Sequence, residues 1–133
     1  MAEKKLEGAG LRGQVAGQTA LSTVGKEGKG LTYRGYAIEE LSEKASFEEV
    51  AYMLLYGNLP NQSELSDYKE KLKKYRELPS ELKKVLELIP ASAHPMDVLR
   101  TGCSFLGNIE PEGDFSNQAD IADRLISIFP SVV

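Results

Sequence analysis

With 133 residues the chain has the length of one domain, and a compact domain of that size buries about two-thirds of the surface its unfolded chain exposes. Apolar residues make up 41% and charged residues 27%, the balance of an ordinary globular protein rather than of a disordered chain. A formal net charge of -4 and a pI near 5.1 leave no overall positive field, so neither nucleic acid nor an anionic membrane is expected as a partner.

The opening "MAEKKLEGAG" has no apolar core of the kind a signal peptide carries, and the lone Cys103 cannot close an internal disulfide. Together they predict a cytoplasmic setting. No apolar run reaches the ~18 residues that would span a bilayer. In "QVAGQTALSTV" the residues Val15, Thr19, Leu21 and Thr23 share a parity, and "LTYRGY" alternates in the same way, so both are expected as strands. Between them "GKEGKG" supplies the glycines of a hairpin loop. Residues 1–36 are thus read as an arm carrying a short β-hairpin.

From Ala37 the period becomes helical, and residues 37–133 are read as one helical region. After a short segment "AIEELSEKA", Ser46 with Glu49 three residues on has the form of a capping box. Phe47, Val50, Ala51, Leu54 and Leu55 then mark one expected buried face, and Gly57 a helix end. Asn61 and Glu64 repeat the capping pattern before the stripe Leu65, Tyr68, Leu72 and Tyr75, with the stop placed at Pro79. Leu82, Val85, Leu86 and Ile89 give a third helix. "HPMDVLRTGCSFLG" gives a fourth, with Pro95 in its first turn and Gly107 as its expected end. "NIEPEGDFSNQAD" reads as a loop, and a last helix starts near Asn117 and carries Ile121, Leu125, Ile126, Ile128 and Phe129. Its end, "IFPSVV", has neither glycine nor a basic last turn. A truncated helix is expected there, kinked at Pro130, with Val132 and Val133 facing an absent partner surface.

Several motifs are tested by their context. "GAGLRG", Gly8 to Gly13, has the spacing of a dinucleotide loop, but only a polar leader precedes it and strand-like alternation follows, so no cofactor is assigned. The basic run over residues 69–76 reads first as a solvated helix face. Within it Lys73 and Arg76, at i and i+3, are the pair that would meet a phosphate group. His94 and Cys103 are nine residues apart, about 13 Å of helical rise, and so cannot form a nucleophile pair within hydrogen-bond reach. His94 and Asp97 alone are too few for a metal site, and both are assigned to the structural start of a helix, with Leu99, Cys103 and Leu106 as a buried stripe.

In sequence order, "TYRGY", "FEEVAYMLLYG" and "HPMDVLRTG" resemble the N-terminal part of the citrate synthase family, and within it the 2-methylcitrate synthases. That resemblance implies a mainly α-helical fold and a homodimer that condenses an acyl-CoA with oxaloacetate, with no metal and no cofactor beyond the acyl-CoA substrate. It also implies that the two histidines and the aspartate of that chemistry lie beyond Val133. No catalytic residue is then expected in this chain, and the isolated segment is expected to be inactive. Lys73 and Arg76 become candidate contacts for the CoA phosphates. A citrate synthase acting on acetyl-CoA is the near alternative, and a non-catalytic helical interaction module is the alternative of another class.

Overall fold

A computed structural model describes residues 15–24 and 30–133. "GAGLRG" and most of "GKEGKG" lie outside the described residues.

The region before the helices forms three short antiparallel strands, β1 (Ser22–Thr23), β2 (Thr32–Tyr33) and β3 (Tyr36–Ala37), in that spatial order. Ser22 pairs with Tyr33 and Tyr33 with Tyr36. Two features depart from expectation. Among the described residues of "QVAGQTALSTV" strand structure is confined to Ser22 and Thr23, and "TYRGY" turns back on itself instead of running straight. Arg34 (φ 50°) and Gly35 (φ 91°) are both left-handed, which is what a two-residue hairpin turn requires. Arg34 then donates from Nη2 to the Leu54 carbonyl at 3.2 Å and fastens the sheet to the helices.

Six helices follow: α1 (Ile38–Lys44), α2 (Phe47–Tyr56), α3 (Gln62–Tyr75), α4 (Ser80–Glu87), α5 (Pro95–Ile109) and α6 (Gln118–Val132). Both capping boxes form. The Ser46 backbone N–H donates to Glu49 at 2.7 Å, the Asn61 N–H to Glu64 at 2.8 Å, and each cap side chain accepts in return. The Ser46 N–H and then the Ser46 hydroxyl hold the Glu49 carboxyl below its ordinary value. Gly57, left-handed at φ 103°, closes α2.

α6 is the shared wall of two small cores. Against α4 and α5 it buries Ile128 and Val132 with Leu82 and Leu106. On the other side Ala51, Tyr68 and Leu72 pack with Tyr52 and Ile126.

The pattern reading is corrected at several helix positions. In α2, Phe47 is 68% exposed and Leu55 is exposed, while Ala51 and Met53 are buried. Those two lie about 200° apart around the axis, so the helix is covered on more than one side, while Phe47 stands at its first position. α3 stops at Tyr75, short of Pro79, and α5 runs through Gly107 to Ile109 because nothing there demands a left-handed residue. Cys103 is half-buried, and the deepest point of α5 beside Leu106 is Gly102. A Cβ on Gly102 would fall 2.8 Å from Val132 Cγ1, so the missing side chain is the seat of Val132. Val132 therefore faces this chain's own core, and of the two terminal valines only Val133 is exposed. Pro130 lies inside α6, which continues past it to Val132.

Candidate functional site

The most organised polar group is built from three helices. Asp123 of α6 is fully buried, beside Tyr56 from the end of α2 and Tyr68 and Lys71 from α3. Tyr68 donates its hydroxyl to Asp123 Oδ1 at 2.9 Å, and Tyr56 donates to Oδ2. The Lys71 ammonium lies 2.6 Å from Asp123 Oδ2 and 2.6 Å from Asp120 Oδ1. Tyr52, Tyr56 and Tyr68 pack ring to ring at centroid distances of 4.7 to 6.0 Å and wall the carboxylate from water.

The charges follow from this packing. Burial and then the hydrogen bond to Asp123 push the Tyr56 hydroxyl up to about 12, and the same causes raise Tyr68 further. Burial disfavours the charged form of Lys71. Its hydrogen bonds to Asp120 and Asp123 and the charge of Asp123 outweigh that effect, so its ammonium is held above the usual range. Both oxygens of Asp123 accept hydrogen bonds and the residue is fully buried, which makes it a structural acceptor rather than a general base open to a substrate. The cluster locks α2, α3 and α6 together.

Sequence reasoning missed this cluster. The sequence reading does not single out Asp123, whose partners come from 52 to 67 positions away. The available signal was the tyrosines at 52, 56 and 68 on apolar faces, each with a hydroxyl to satisfy.

Lys73 and Arg76 lie exposed at the C-terminal end of α3. Lys73 is paired with Glu70 at 2.5 Å, and Arg76 is the residue that caps α3 and makes no ion pair among the described residues. The two are not brought together around a common point by any shared partner. His94 caps α5, its Nδ1 accepting from the Met96 N–H at 3.2 Å, while Asp97 pairs with Arg100 at 3.1 Å. Among the described residues no group of three or more His, Cys, Asp or Glu side chains could hold a metal ion. None of the described helices is long and apolar enough to cross a membrane.

Comparison with known proteins adds what this geometry lacks. A family model described as "Citrate synthase, C-terminal domain" matches residues 10–133. The 2-methylcitrate synthase of Shewanella oneidensis is 65% identical over 130 residues, which are 98% of this chain and 35% of that relative. A crystal structure of citrate synthase from Thermotoga maritima superposes with a TM-score of 0.79 at 35% identity, over 93% of this chain and 32% of that one. A citrate synthase from Thermoplasma acidophilum, solved as a ternary complex with carboxymethyl coenzyme A and oxaloacetate, superposes with a TM-score of 0.83 at 25% identity, over 92% of this chain and 33% of that one. The chain spans about a third of the length of each of these three relatives.

Proposed function

This chain belongs to the citrate synthase family, and from that premise we propose that it is the N-terminal segment of a 2-methylcitrate synthase. The whole enzyme would condense propionyl-CoA with oxaloacetate and water to give 2-methylcitrate and CoA. The observation that carries this reading is the 65% identity with the Shewanella enzyme across 98% of the chain. The matching family model carries a C-terminal designation, and placement at the beginning of the synthase rests on the order of "TYRGY", "FEEVAYMLLYG" and "HPMDVLRTG".

In this reading residues 1–36 are an N-terminal arm and residues 37–133 open the large helical domain. The aspartate that removes the acyl α-proton and the histidines that polarise the reacting carbonyls lie beyond Val133. What these residues contribute is the wall that holds such groups in place. Acyl-CoA and oxaloacetate are substrates, no cofactor is assigned, and the working form is a cytoplasmic homodimer. Lys73 and Arg76, both exposed cations, are the proposed contacts for the CoA phosphates.

Steady-state rates of the intact enzyme test the reading. Its kcat/KM for propionyl-CoA is expected to exceed that for acetyl-CoA, and the reverse order would assign it as a citrate synthase. The double variant K73A/R76A is expected to raise KM for acyl-CoA about fivefold, equivalent to roughly 1 kcal/mol, with kcat unchanged. An unaltered KM removes those two contacts from the account.

A further inference from the structure

Arg124 of α6 reaches from its own helix to the link between α3 and α4. Its Nη1 donates to the Tyr75 carbonyl and, at 3.2 Å, to the Glu77 carbonyl. Its Nε and Nη2 donate to the two oxygens of Glu110, the residue that caps α5, at 3.0 and 2.8 Å. The side chain is only 16% exposed, and it ties the ends of α3 and α5 to α6. The two carbonyls bracket Arg76. The Tyr75 carbonyl lies in the last turn of α3, where the helix supplies no partner of its own, and holding it together with the Glu77 carbonyl fixes the backbone on both sides of residue 76. Arg76 is exposed and makes no ion pair among the described residues, so the direction in which its side chain leaves the backbone is set by contacts that this side chain does not make.

We propose that Arg124 is a positioning residue for acyl-CoA: held by Glu110, it fixes the α3–α4 link so that Arg76 stands ready for the CoA phosphates, and it touches no substrate itself. The inference rests on the reading of Lys73 and Arg76 as the phosphate contacts. Two observations favour position over charge as its contribution. The Glu110 carboxylate meets the guanidinium at hydrogen-bond distance, so the pair lends little field to a distant anion. The two carbonyl contacts and the two-point grip on Glu110 together need a planar fork, which a lysine ammonium of the same charge lacks. A cation on a fixed backbone loses less freedom when a phosphate arrives, and that difference appears in binding rather than in the chemical step.

Steady-state kinetics of the intact synthase with propionyl-CoA test the assignment. R124M and R124K are each expected to raise KM for acyl-CoA about threefold, with kcat and KM for oxaloacetate unchanged. E110Q loosens the grip on the guanidinium and removes a negative charge, so position predicts a higher KM and charge alone a lower one. In an R76A background R124M is expected to add nothing. With S-propionylpantetheine, which carries no phosphate, R124M is expected to leave kcat/KM as it is, whereas damage to the fold would lower it for both thioesters. Circular dichroism checks folding, and R124K and E110Q carry the test if R124M does not fold. A native KM in R124K, a lowered or unaltered KM in E110Q, a full R124M effect on top of R76A, or an R124M defect with S-propionylpantetheine each overturns the positioning role and leaves the phosphate contacts standing. A KM that R76A itself leaves unaltered overturns the contact of Arg76 with phosphate, and this inference with it.

Discussion

Asp123 is the residue on which the interior depends most. Its carboxylate takes two tyrosine hydroxyls and one ammonium, and among the described residues only Lys71 of these donors has a second acceptor, the exposed Asp120. Removing the acceptor strands the donors, so D123A is expected to cost about 3–5 kcal/mol in urea denaturation. D123N, which keeps one oxygen and loses the charge, is expected to cost less. Near-neutral behaviour of D123A would mean the cluster does not hold the helices together. The cluster also sets a pH limit. The Tyr56 hydroxyl titrates near 12 in the fold against an ordinary value of 10.0, so the fold favours its protonated form. That contribution is fully present below pH 10 and is lost as pH rises through 12. Urea stability is therefore expected to fall between pH 10 and 12, and more gently in Y56F, while equal slopes in the two proteins would remove Tyr56 from the network. No local pattern marks Asp123 as buried, because its burial is decided by α2 and α3, which pack on α6 only in the finished fold. His94 is the opposite case: its place just before Pro95 identifies a helix start from sequence, and its ring accepts the N–H that such a start leaves unpaired.

At the scale of elements, the contact of α5 with α6 is governed by an absent atom. Gly102 costs α5 about 1 kcal/mol of helix propensity relative to alanine, and in exchange it admits Val132. G102A is therefore expected to be destabilising in the native background by about 1 kcal/mol net, the clash exceeding the propensity gain. In the V132A background the same substitution is expected to become stabilising. Thermal melts of the four proteins give the sign, and a G102A that stabilises in both backgrounds would show that the close approach is relieved elsewhere. The helix starts at Ser46, Asn61 and His94 were legible because a cap is a local device written in three or four consecutive residues. The ends were less so. Gly107 does not stop α5, because a glycine ends a helix only where the chain must turn left-handed, whereas α6 continues past Pro130 as expected. The face of α2 was misread for a related reason: one stripe describes a helix with one neighbour, and Met53 is buried on a different side from Ala51.

At the scale of the molecule, the helices form two small cores on either side of α6. Leu88, Met96, Phe47 and Phe115 are each more than 60% exposed. The fold class and the family were legible from the order of a few segments, which fixes neither the chemistry nor its residues. His94 and Cys103, the only histidine and the only cysteine, are a helix cap and a half-buried residue of the same helix. The buried Asp123 cluster and the His94 cap each account for their polar groups by contacts within the fold. The most direct test is oxaloacetate-dependent release of CoA from propionyl-CoA, measured by thiol titration for the 133-residue chain alone and for the same chain continued to the full length of its relatives. The continued protein is expected to release CoA and the isolated chain none, whereas release by the isolated chain, or its absence from the continued protein, would contradict the account.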